Sequence, residues 1–303
     1  MTLLDKALVR MLPVVPKPVV QLFSSRYIAG TTLDEAVAVV RALNEDGKLA
    51  TVDVLGEEIT RESDARAIAQ AYRDVFTAIE REHLDSNVSV KLTGLGLNLS
   101  YDLCRDDLES VLLEAARLGN FVRIDMEDSS TTSETLRMYR ELRERGHDNV
   151  GVVLQAYLRR TLDDIEALAD LTPNVRLCKG IYVEPAAIAF TDADDVRANY
   201  VRALDALFDA GSYVGIATHD EWLIGEALTR VGGMSPSAYE FQMLLGVRDR
   251  RAGELVAAGH RLRVYVPFGE HWYQYSLRRL QENPAMAGTI ARATVGRVLG
   301  RAS

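Results

Sequence analysis

Short apolar runs alternate with amphipathic stretches along most of this chain. Eight runs are rich in β-branched or aromatic residues and are bounded by Gly, Pro, Asn or Asp: residues 51–55, 88–92, 121–125, 150–155, 175–179, 213–217, 239–243 and 262–266. They read as strands. Between them apolar residues recur at helical spacing. In 63–81 the stripe is Ala67, Ile68, Ala71, Tyr72, Val75 and Ile79. Residues 106–118, 133–145, 162–171, 194–210, 221–230 and 249–258 repeat the type. Ser133 and Thr161 stand at helix starts with acidic first turns, and Gly146, Gly211 and Gly259 where a left-handed residue would end a helix.

Strict strand-then-helix alternation with eight strands predicts an α/β fold, a parallel (β/α)8 TIM barrel. A doubly wound sheet would need a glycine-rich first crossover. The nearest candidate, Gly94-Leu-Gly96-Leu-Asn-Leu99, lacks the third glycine of that fingerprint. Residues 1–47 precede the first strand and read as N-terminal helical arms, one of them over 32–44. Residues 48–303 read as the catalytic barrel of a single-domain chain, with one more helix after Pro284.

Composition narrows the class. The chain has 303 residues, 48% hydrophobic and 26% charged, a length that fits one large α/β barrel or two smaller domains and a composition that argues against disorder. A net charge of −9 argues against a general nucleic-acid binder, though not against a local cationic pocket. Two cysteines, Cys104 and Cys178, suit a reducing compartment. No apolar run reaches membrane-spanning length. The N-terminal stretch is interrupted by Asp5, Lys6, Arg10 and three prolines, unlike a signal peptide. A soluble cytoplasmic enzyme is expected, with surface contact to a membrane left open.

Barrel enzymes carry their chemistry at the C-terminal ends of the strands. Here those ends supply Lys91, Asp125, Glu127, Gln155, Arg176, Lys179, Thr218, His219 and Tyr265. In the eighth crossover, Tyr275, Arg278, Arg279 and Glu282 share one helical face, and the arginine pair has the chemistry of an anion clamp. His83, His147, His219, His260 and His271 show no ligand spacing, so no metal site is expected. Asp125 and Glu127 lie on one strand and do not define a glycosidase pair. A Schiff-base aldolase using Lys91 or Lys179 fits the same rim, as does a non-catalytic barrel acting as a binding module.

Several blocks, in order, resemble the proline dehydrogenase family in its short monofunctional bacterial form. They are Val88-Ser-Val-Lys-Leu92, Ile124-Asp-Met-Glu127, Val153-Leu-Gln-Ala-Tyr157, Arg176-Leu-Cys-Lys-Gly-Ile-Tyr182, Ala217-Thr-His219, Tyr239-Glu-Phe-Gln242 and Tyr275-Ser-Leu-Arg-Arg-Leu-Gln-Glu-Asn283. The resemblance implies a distorted barrel whose last helix lies over the mouth. It also implies non-covalent FAD, L-proline as substrate, pyrroline-5-carboxylate as product and a membrane quinone as electron acceptor. Peripheral contact with the cytoplasmic face of the inner membrane would follow.

The same resemblance distributes the roles. Arg278, Arg279 and Lys91 would bind the proline carboxylate, with Asp125 bracing the arginine pair. Tyr265, Tyr275, Tyr182 and Leu244 would wall the pyrrolidine ring. Arg176 and Gln155 would face the flavin, with Cys178 and Gly180 of the same block beside it. Lys179, Thr218, His219, Arg279 and Glu282 would hold the rest of the cofactor. Glu57 falls where relatives carry a glutamate that pairs with a substrate arginine, although Glu58 is adjacent. Ile181 replaces a customary alanine, and Cys178 reads as packing rather than redox chemistry. Oligomeric state is not readable.

Overall fold

A computed structural model describes residues 26–56, 59–273 and 276. Eight parallel strands close into a barrel in chain order. They are β1 (Leu49–Val54), β2 (Ser86–Val90), β3 (Val122–Ile124), β4 (Val150–Gln155), β5 (Asn174–Cys178), β6 (Tyr213–Ala217), β7 (Tyr239–Leu244) and β8 (Leu262–Phe268). The helices are α1 (Leu33–Glu45), which precedes β1, and then α2 (Glu62–Arg81), α3 (Tyr101–Arg117), α4 (Thr132–Glu144), α5 (Thr161–Leu168), α6 (Ala193–Asp209), α7 (Glu221–Val231) and α8 (Asp249–Ala257), one after each strand from β1 to β7. The predicted last helix over the mouth, and the arms within residues 1–25, lie outside the described residues.

Two faces of each strand explain closure. Val52, Val88, Val90, Val122, Ile124, Val150, Val152, Val175, Leu177, Val214, Ile216, Phe241 and Val264 are buried in one apolar core with Tyr72, Phe76, Leu108, Leu112, Met138, Tyr139, Tyr200 and Leu204 of the helices. Their sequence neighbours point the other way, because side chains alternate along a strand. Those neighbours are Thr51, Asp53, Ser89, Arg123, Gln155, Arg176, Glu240, Gln242 and Arg263, all buried. Hydrogen bonds join non-adjacent strands, Arg176 of β5 to Gln242 of β7 for example, which requires that these side chains meet across the lumen. Barrel interiors are usually filled by branched apolar residues. This one is filled by charges and amides.

Most predicted elements fall within two residues of the observed ones. The largest departure is α3, which begins at Tyr101 rather than 106. Ser100 caps it by accepting a hydrogen bond from the Leu103 amide at 3.3 Å, and Cys104 already belongs to the buried stripe. The fifth helix ends sooner than predicted. After Leu168 the chain tightens into a 3-10 turn over Ala169–Leu171 and leaves through left-handed Thr172. Gly146, Gly211 and Gly259 do carry positive φ, at 93°, 71° and 87°.

Candidate active site

At the mouth, three strands converge on one carboxylate. Asp125 follows β3. Its Oδ1 accepts hydrogen bonds from Ser89 Oγ at 2.6 Å and Arg176 Nη1 at 2.6 Å, and its Oδ2 accepts one from the Tyr265 hydroxyl at 2.7 Å. Lys91 Nζ lies 3.7 Å from the same Oδ2. Burial pushes the Asp125 carboxyl up, but the Arg176 and Lys91 charges and the Ser89 and Tyr265 hydroxyls outweigh it and hold the group below the ordinary carboxylate range.

Lys91 sits just past β2 and is anchored from below. Its Nζ donates to Asp53 Oδ2 at 2.7 Å and to the Tyr265 hydroxyl at 3.2 Å. Asp53 is wholly buried and also accepts from the Tyr72 hydroxyl at 3.2 Å. The register of β1 on β2 pairs Asp53 with Ser89, which places the carboxylate two residues short of Lys91 along the neighbouring strand. The lysine is therefore engaged by a buried carboxylate and a phenol hydroxyl.

Beneath this layer Arg176 Nε donates to Gln242 Oε1 at 2.5 Å, and its guanidinium carbon stands 5.2 Å from the Tyr265 ring centroid. Deeper still, Arg263 pairs with Glu240 at 2.7 Å. Arg123 donates to the carbonyls of Val152 and Asn174 and to the Asn174 side chain. Burial, and then the nearby Arg176 charge, lower Arg123 to about 9.

The rim beside β4, β5 and β6 is built differently. Gln155 donates its amide hydrogens to the carbonyls of Met126 at 3.0 Å and Glu127 at 2.7 Å. Its Oε1 is buried and has no hydrogen-bond partner among the described residues. Glu127 fixes the neighbouring loop by accepting from the Thr93 amide at 3.0 Å and the Thr93 hydroxyl at 2.5 Å. Lys179 Nζ donates to Asp220 Oδ2 at 3.2 Å, and Arg197 Nε donates to the same oxygen at 2.9 Å. Asp220 is pushed up by partial burial, but these two cations lower it overall. Thr218 Oγ1 accepts from the Asp220 amide at 3.1 Å. His219 Nε2 accepts from the Leu244 amide at 3.0 Å, which places the proton of the neutral ring on Nδ1.

Gly180 has φ 100°, and a Cβ there would run into the Tyr157 ring. Tyr182 is half-buried on the loop that follows. Burial pushes the Cys178 thiol up to about 11, so it is not a reactive thiolate. Ile181 is 42% exposed.

Lys91, Asp125, Arg176 and Tyr265 thus form one hydrogen-bonded cluster, with Gln155 at the end of β4 in the same rim. Lys179, Thr218, His219 and Leu244 line the β5–β7 edge of that rim. Glu57, Tyr275, Arg278, Arg279 and Glu282 lie outside the described residues. Asp125 was expected to brace the arginine pair. Its described partners are Arg176, Ser89, Tyr265 and Lys91. Sequence reasoning gave no role to Asp53, Ser89, Gln242, Asp220 or Arg197. For the first two the signal was present as a polar residue at an alternate position inside an apolar strand, in Thr51-Val-Asp-Val and Val88-Ser-Val.

Comparison with known proteins gives the family. The sequence profile of the family described as proline dehydrogenase matches residues 36–292. Proline dehydrogenase 1 of Bacillus subtilis (strain 168) is 39% identical over 274 residues, 90% of each chain. Proline dehydrogenase of Deinococcus radiodurans is 38% identical over 278 residues, 89% of each. Among solved structures, proline utilization A (PutA) from Bdellovibrio bacteriovorus, inactivated by N-propargylglycine, superimposes with a TM-score of 0.79 at 26% identity. That match covers 86% of this chain and 32% of the PutA chain, so this protein spans about a third of that longer one. A polar-filled barrel with a cationic mouth and a profile match over most of its length have one common explanation: the chain belongs to the proline dehydrogenase family of oxidoreductases.

Proposed function

We propose that the protein is an FAD-dependent L-proline dehydrogenase. It oxidises L-proline to pyrroline-5-carboxylate, the first step of proline catabolism, and passes the electrons to a membrane quinone. The observation that carries this reading is the pairing of a cationic cluster, Lys91 and Arg176 around Asp125, with the orphaned Oε1 of Gln155. A buried acceptor without a donor calls for a ligand N–H, and the imide N–H of a flavin ring is of that kind. Lys179 and Arg197, converging on Asp220 beside Thr218 and His219, offer cationic and hydroxyl donors suited to a pyrophosphate and its sugars.

FAD, bound non-covalently, supplies the hydride acceptor at its N5. The protein supplies position and charge. Lys91, with Arg278 and Arg279, binds the substrate carboxylate. Tyr182, Leu244, Tyr265 and Tyr275 wall the ring and exclude water, so that orientation lowers the barrier. Glu57 closes the site against the substrate arginine. Arg176 brings a fixed positive charge to the cofactor, where charge develops on reduction. Cys178 and Gly180 allow close approach of the β5 loop, and Glu282 completes the ribose contacts. Among the described residues no helix is long and apolar enough to cross a membrane. The encounter with quinone is proposed as peripheral, from the cytoplasmic side, on the resemblance to the family.

The purified protein is expected to release FAD on denaturation and to reduce a soluble quinone analogue only when L-proline is added. A flavin-free protein with no proline-dependent reduction after FAD is supplied contradicts the reading. N-propargylglycine, the inactivator named for the Bdellovibrio relative, is expected to abolish that activity with time. The Schiff-base alternative requires an amine free of partners, which neither Lys91 nor Lys179 is. Failure of borohydride to trap a carbonyl substrate on the chain separates the two.

A further inference from the structure

The family block Tyr239-Glu-Phe-Gln242 leaves two buried polar residues, Glu240 and Gln242, without a task in this reading. Glu240 Oε1 accepts from Gln242 Nε2 at 2.6 Å and from Arg263 Nε at 2.7 Å. Gln242 Oε1 accepts from Arg176 Nε at 2.5 Å. An amide has a donor end and an acceptor end. Committing the donor end to a carboxylate decides which end meets Arg176. Burial pushes the Glu240 carboxyl up, and the charge and hydrogen bond of Arg263 and the Gln242 amide bring it down overall, so the anchor stays ionised.

Arg176 is consequently fixed on two edges. Nε is held by Gln242 and Nη1 by Asp125 and Ser89, the latter at 3.1 Å. Among the described residues Nη2 makes no hydrogen bond. Room for the brace comes from β6: a Cβ on Gly215 would lie 2.5 Å from Gln242 Nε2. Three neighbouring strands are thus shaped around the placement of one guanidinium.

We propose that Gln242 is a positioning residue for the oxidation, anchored by Glu240, and that it holds the Arg176 guanidinium in one orientation with Nη2 presented to the flavin. This rests on the reading that Arg176 faces the cofactor. A guanidinium held on one edge only would present its charge over a range of orientations and favour reduced flavin less.

The test is the midpoint potential of the bound flavin, measured anaerobically in the holoenzyme against a reference dye. Gln242→Met keeps the side-chain length and leaves the Glu240–Arg263 pair in place. It binds FAD with a lowered potential, by about tenfold in the two-electron equilibrium, about 30 mV. Its kcat falls while the proline KM stays within about twofold, since Gln242 is not part of the carboxylate grip. Gly215→Ala removes no polar group and only crowds Gln242. It shifts the potential in the same direction, and it decides the matter if Gln242→Met does not fold. Arg176→Lys is the reference for the underlying reading. A shifted potential in Arg176→Lys with wild-type potentials in Gln242→Met and Gly215→Ala overturns the positioning role alone, whatever happens to the melting temperature. A wild-type potential in Arg176→Lys overturns the placement of Arg176, and the proposal with it.

Discussion

The Lys91 ammonium and the buried Asp53 carboxylate lie 2.7 Å apart and form an ion pair inside the barrel. Removing one partner of a buried pair leaves an uncompensated charge and costs about 3–5 kcal/mol. Lys91→Met is therefore expected to lose about that much unfolding free energy in denaturant titration and to raise the proline KM. Adding Asp53→Asn to it restores part of the stability and none of the KM. A double variant no more stable than the single one would show that the pair is not coupled. Arg279→Met is expected to raise the proline KM strongly with a smaller change in kcat, as loss of a charged partner for the carboxylate requires. Lys91 and Asp125 were legible because each is a large polar residue just past a strand, and Arg176 because it is a charged residue inside an apolar run. Asp53 was not. Nothing in Thr51-Val-Asp-Val says that the carboxylate meets a lysine just past the next strand, because that contact is set by the β1–β2 register.

Among the elements, the strands were the most legible, since their apolar faces and bounding turn residues are local signals. The β4 and β6 spans match the prediction at both ends. β2 was placed two residues late, and it ends at Val90. That end releases Lys91 from the ladder and lets it reach both Asp53 and Tyr265. The β5 loop depends on Gly180. A side chain there meets both the positive φ and the Tyr157 ring, and strain of that kind costs about 1–3 kcal/mol. Gly180→Ala is expected to lower the melting temperature and the FAD content of the purified protein together. Normal values of both would mean that the loop relaxes away from Tyr157 without consequence. The loop carrying Lys179 and the capped start of α7 at Asp220 meet only in three dimensions, which is why Arg197 and Asp220 escaped a reading by sequence blocks.

On the scale of the whole molecule, alternation alone was enough to give a (β/α)8 barrel. What it concealed was that the lumen holds a charge network in place of a packed apolar filling. This has a consequence for pH. Asp125, Asp220 and Glu240 all have folded values held below those of an unfolded chain. Each contributes stability that is fully present above the unfolded carboxyl range, about 4, and is lost as the pH falls through its depressed folded value. Asp107 and Asp164, raised by burial, work in the opposite direction. The protein is expected to unfold on acidification below about pH 4, and Asp125→Asn to show a shallower loss of stability with acid, read as unfolding free energy against pH. An unchanged slope would mean that Asp125 takes up no proton on unfolding.

The central claim is that this polar mouth brings L-proline to a bound flavin. Anaerobic titration of the purified holoenzyme with L-proline, followed in the visible absorbance, tests it most directly. The account predicts a yellow protein whose flavin band bleaches on addition of L-proline and returns when a quinone analogue is admitted. A flavin band that L-proline leaves unchanged, or a colourless protein that takes up no added FAD, would contradict it.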